Sequence, residues 1–78
     1  MSLNVAQIRE LVDAITAGDK ERIDALAAAL GLRVEWYGTH FRLRRGARSV
    51  VCSLEMPRAQ VETQMRVLFG RVWAIASR

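Results

Sequence analysis

Two glycine-led pairs eight residues apart, Gly38-Thr39 and Gly46-Ala47, constrain this chain more than any other feature. Each separates runs whose apolar and polar residues alternate with a period of two, the pattern of strands with one buried face. Val34 and Trp36 alternate with Arg33, Glu35 and Tyr37; Phe41 and Leu43 alternate with His40, Arg42 and Arg44. Val50, Cys52 and Leu54 alternate with Ser49, Val51 and Ser53. A Gly-X pair suits a two-residue type II′ turn, in which only the first turn residue needs positive φ.

Tight turns at both places dictate the pairing. The first sets Tyr37 opposite His40, Trp36 opposite Phe41, Glu35 opposite Arg42 and Val34 opposite Leu43. The second sets Leu43 opposite Val50 and Phe41 opposite Cys52. Apolar residues then meet apolar ones and Glu35 meets a cation, a match that a slip of one residue would destroy. The expectation is an antiparallel meander of strands 33–37, 40–45 and 48–54, with one greasy and one polar face.

Helical periodicity flanks the meander. Val5, Ile8, Leu11, Val12 and Ile15 predict a helix over 4–17, with Asn4 and Gln7 placed as a capping pair. Gly18 and Asp19 read as a stop and a new N-cap, opening a second helix over 20–30 closed by Gly31. Its alanines and acids are unsuited to base contacts, so a DNA-reading helix-turn-helix is discounted. Pro57 opens a closing helix, 57–76, whose stripe from Val61 through Leu68, Phe69 and Trp73 to Ala76 is wider than one sheet face needs. Gly70 lies inside that helix, at a cost of about 1 kcal/mol unless a neighbour packs closely there. The surplus apolar surface would dock the amino-terminal helices or form a homodimer seam through this closing helix.

The order helix, helix, three strands, helix is an α+β two-layer sandwich: a three-stranded antiparallel sheet with helices on one face, ααβββα. Its αβββα portion has the order of the double-stranded-RNA-binding fold. The length, 78 residues, bounds the chain to a single domain, 1–78, of modest stability.

Composition excludes several chemistries. The single cysteine, Cys52, rules out an internal disulfide and fits a reducing cytoplasm. One cysteine and one histidine do not make a zinc site, so no metal or cofactor is expected. The start MSLNVAQIRE lacks the layout of a secretion signal, and the longest apolar run, Ala25–Leu30, is too short for a membrane span. The net charge of +4 is uneven. Through Gly31 there are three basic and five acidic residues (−2), and from Leu32 onward nine basic and three acidic (+6). Eleven of the twelve cations are arginine, whose planar fork suits phosphate and carboxylate. The partner class this implies is RNA or an acidic, nucleic-acid-handling protein, not a membrane.

The only histidine, His40, begins the middle strand and precedes Arg42, Arg44, Arg45 and Arg48. Cleaving RNA without a metal needs a base for the 2′-hydroxyl proton and a group to hold charge developing on the phosphate. Imidazole suits the first role and guanidinium the second, with Tyr37 positioned to orient substrate. The four arginines also have a plainer use, as a solubilising face and as protection of sheet edges. Trp36 and Phe41 alternate inward as core residues, which leaves Tyr37 as the exposed ring able to stack on a base.

The stretch GTHFRLRRGARSVVCSLEMP resembles the central hairpin of HicA-type toxins, small mRNA-cleaving proteins with a double-stranded-RNA-binding-like fold. The matching positions are Gly38, Thr39 and His40, then Arg44, Arg45, Gly46 and Arg48, then Val50 and Val51, with Pro57 following and ALGL at 29–32 preceding. The resemblance spans roughly residues 20–58 and implies a catalytic His40 that a cognate HicB-type antitoxin would cover. The chain departs from the family pattern in its additional first helix, its longer and greasier closing helix and its late proline.

A second class fits the same residues: a non-catalytic binding protein, such as a small phage-type inhibitor. It would act through Tyr37, Thr39, Arg42, Arg44, Arg45 and Arg48 or through the apolar closing helix. The two readings part on whether His40 is needed for activity.

Overall fold

A computed structural model describes residues 4–77. The order is α1 (Val5–Ala17), α2 (Lys20–Ala29), β1 (Arg33–Tyr37), β2 (His40–Arg45), β3 (Arg48–Ser53), α3 (Arg58–Phe69) and α4 (Arg71–Ala76). It is the expected α+β sandwich, an antiparallel sheet in the order β1-β2-β3 with its greasy face toward the helices.

Local signals set the helix boundaries. Asn4 Oδ1 accepts the N–H groups of Ala6 (3.0 Å) and Gln7 (3.3 Å), two of the donors a helix start leaves unpaired. At Gly18, φ is +69°, and the N–H of Asp19 closes back on the Ala14 carbonyl (3.0 Å), ending α1. Asp19 Oδ1 then caps α2 through the Arg22 N–H at 3.2 Å. The end of α2 repeats the device, with Leu32 N–H reaching the Ala27 carbonyl at 2.8 Å.

The sheet register is the expected one throughout, from Arg33↔Arg44 to Tyr37↔His40 and from His40↔Ser53 to Arg45↔Arg48. Gly38 and Gly46 have φ of +66° and +58°, while Thr39 and Ala47 stay negative, which is the type II′ signature. Phe41 and Leu43 are fully buried, and Val50 and Cys52 nearly so. Helix α2 packs over β1 and α3 over β2 and β3, while α1 packs on α2, α3 and α4. Burying an aliphatic or aromatic side chain contributes about 1.5–3 kcal/mol, and no polar or charged residue among those described is buried with them.

The closing segment differs from expectation. It is two helices, broken at Gly70, where φ is +58° and ψ −125°. Pro57 is the N-cap of α3 rather than its first residue, and the third strand ends at Ser53, one residue early. The break turns α4 onto α1, burying Phe69, Trp73 and Ala76 within the chain's own core. The surplus stripe therefore docks the amino-terminal helix, leaving Val67 and Ile75 exposed. Among the described residues, no helix is long and apolar enough to cross a membrane.

Candidate functional site

Alternation along three strands in register produces a grid on the face turned away from the helices. Its rows are Arg33, Arg44 and Ser49; Glu35, Arg42 and Val51; and Tyr37, His40 and Ser53. Three guanidinia and one carboxylate share this surface with the imidazole, so the face is basic. Nothing among the described residues covers it: Tyr37, His40, Arg44, Ser49 and Val51 are exposed and Arg42 is half-buried.

Glu35 organises one side of the grid. The Tyr37 hydroxyl donates to Glu35 Oε2 at 3.0 Å, and Arg44 Nε donates to Oε1 at 3.2 Å. Arg42 is the residue directly opposite Glu35, yet the ion pair forms with the diagonal neighbour Arg44. Among the described residues, His40 and Arg42 enter no side-chain hydrogen bond or ion pair. The two groups suited to proton transfer and phosphate binding are free to meet a ligand, while Tyr37 and Arg44 are held by a carboxylate.

Of the sequence-derived candidates, Tyr37, His40, Arg42 and Arg44 come together on this face. Thr39 lies at its rim, in the β1–β2 turn, where its carbonyl accepts the Leu54 N–H at 3.0 Å. Arg45 and Arg48 do not join them. They share the parity of Phe41, Leu43, Val50 and Cys52, so both start toward the helices. Arg45 Nη1 donates to the Leu68 carbonyl at 3.3 Å, its guanidinium 5.6 Å from the centre of the Phe69 ring. Arg48 lies against Gly70. Both cations sit at the carbonyl end of α3, where positive charge is favoured.

Sequence reasoning left Arg33 and Glu35 out of the site. The alternation that places Tyr37 outward also places them outward, and the first hairpin's register brings Glu35 beside the β2 cations.

The opening beside β3 holds no acid or base that would rival the outward face. Met56, Gln60, Thr63 and Gln64 line a groove of about 290 Å³ in which no side chain titrates near neutral pH. Among the described residues, no cluster of histidine, cysteine or carboxylate side chains is arranged to hold a metal ion. Comparison with models of known protein families, with curated proteins and with solved structures finds no match.

Proposed function

We propose that the outward sheet face binds RNA and that His40 cleaves it without a metal, in the manner the resemblance to HicA-type toxins implies. The observation that supports this reading is the grouping of an unpaired His40 with Tyr37 and an unpaired Arg42 on one open basic surface. In the reaction, neutral His40 takes the 2′-hydroxyl proton as the 2′-oxygen attacks the adjacent phosphorus. The bond to the 5′-oxygen breaks, leaving a 2′,3′-cyclic phosphate and a 5′-hydroxyl, whose proton comes from the imidazolium or from water. Arg42 holds the charge that grows on the phosphoryl oxygens, and Tyr37 stacks against a base.

Purified protein incubated with single-stranded RNA in a chelator tests the proposal. The expected result is cyclic-phosphate ends, with His40→Ala slowed about 10²-fold or more while RNA affinity is kept. Arg42→Ala should weaken both binding and cleavage. In cells, induction of the wild type should deplete mRNA and slow growth, and induction of His40→Ala should not.

A second reading is binding without cleavage, with RNA or an acidic protein on the same face. The openness of the face favours it: no wall excludes water from His40, and among the described residues no group orients its ring. RNA left intact by the wild type but bound through Arg42 and Arg44 would select this reading.

A further inference from the structure

The two edges of the sheet are finished differently. Residues flanking a two-residue hairpin turn exchange both main-chain hydrogen bonds, and pairs beyond them alternate between bonded and non-bonded. Counting from Arg45↔Arg48, the main-chain groups of Ser49, Val51 and Ser53 point away from β2. The chain itself occupies much of this edge: Gln64 Nε2 donates to the Val51 carbonyl at 2.8 Å, and Ser53 N–H donates to Met56 Sδ at 3.4 Å.

Counting from Tyr37↔His40, the groups that point away from β2 on the other edge belong to Val34 and Trp36. Among the described residues, no side chain or loop bonds to them. Strand β1 has no proline or lysine, and its two charged side chains, Arg33 and Glu35, are of opposite sign and so able to pair across a two-fold axis.

We propose that β1 pairs with β1 of a second copy of this chain, antiparallel about a two-fold axis through Val34, so that the two sheets become one. The register follows from charge. Residues opposite each other share a face, so only like parities meet. An axis at Arg33 sets arginine against arginine, and one at Glu35 sets carboxylate against carboxylate, both unfavourable. An axis at Trp36 sets Val34 against the turn residue Gly38. An axis at Val34 sets Arg33 of each copy opposite Glu35 of the other on the outer face. On the helix side it sets Val34 against Val34 and Leu32 against Trp36. Within the chain, the first hairpin likewise sets Glu35 opposite a cation, Arg42, and Val34 and Trp36 opposite Leu43 and Phe41.

The hydrogen bonds also fit. The two Val34 residues exchange N–H and carbonyl, and each Trp36 N–H reaches the Leu32 carbonyl of the second copy. The Leu32 N–H plays no part because Ala27 already accepts it. Pairing extends the outward grid across both copies, with Glu35 between Arg44 of its own chain and Arg33 of the other. The inference does not depend on what the grid binds.

Sedimentation equilibrium of the full chain, from low micromolar to several hundred micromolar, tests it. The expected mass is that of a dimer. Val34→Pro should give a monomer with unchanged circular dichroism, because the lost N–H makes no bond within the sheet. Arg33→Glu should raise the dimer dissociation constant about tenfold, through two repulsive pairs, and adding Glu35→Arg should restore it. In the wild type, amide exchange at Val34 and Trp36 should slow as concentration rises, a readout that stands even if Val34→Pro fails to fold. A monomer at every concentration, a dimer indifferent to Val34→Pro, or concentration-independent exchange at both amides would overturn the proposal.

Discussion

The guanidinium of Arg48 rests on Gly70, with Nη1 2.8 Å from the point where a Cβ would stand. This contact joins the β2–β3 turn to the α3–α4 break, and Arg45 reinforces it through the Leu68 carbonyl. The same two arginines are thereby withdrawn from the outward face.

Gly70→Ala tests the break. With φ at +58° and ψ at −125°, the backbone is in a region open to glycine and strained for any other residue. The expected loss is about 2 kcal/mol in denaturant unfolding. Adding Arg48→Ala should recover little, because the arginine tip is flexible and the strain lies in the backbone.

Cys52 predicts an alkaline sensitivity. Burial raises its thiol from an ordinary value of 9.0 to about 11, so the native state favours the protonated form. Below pH 9 the unfolded and native thiols are both protonated and this stabilisation is complete. Between pH 9 and 11 the unfolded thiol ionises first, and stability should fall by up to about 1.4 kcal/mol per pH unit. Chemical denaturation across that range should show the slope in the wild type, and Cys52→Ala should flatten it. A slope unchanged in the variant would place the effect elsewhere.

Glu35 should restrain polyanion binding. It holds Arg44 and Tyr37 and is the one carboxylate of the grid. Glu35→Gln removes that charge and frees both side chains, so affinity for a short single-stranded RNA should rise ~3–5-fold at low salt, the effect of one charge a few ångströms away. Fold stability should change by less than about 1 kcal/mol, since the pair is exposed. Filter binding at two salt concentrations measures the first effect and urea unfolding the second.

The meander was readable because two independent constraints agree. Gly38-Thr39 and Gly46-Ala47 determine which residues face each other, and the apolar residues match in only that register. The helix break was not readable from periodicity, because Leu68, Phe69, Val72, Trp73 and Ala76 continue the apolar pattern through Gly70. What stops the helix is tertiary: β-hairpin cations at the α3 carbonyl end and docking of α4 on α1. The positions of Arg45 and Arg48 were readable and were missed. Their parity is that of Phe41 and Val50, a signal hidden by the local density of arginine. The diagonal Glu35–Arg44 pair depends on side-chain reach, which register alone does not determine.

The most direct test of the outward grid as the working surface is an NMR titration of the ¹⁵N-labelled His40→Ala protein with a short single-stranded RNA. The account predicts amide shifts concentrated at Arg33, Glu35, Tyr37, Arg42, Arg44 and Val51, weakened by salt and lost in an added Arg42→Glu/Arg44→Glu background that retains the fold. Shifts confined to α3 and α4, or no shifts at millimolar RNA, would contradict it.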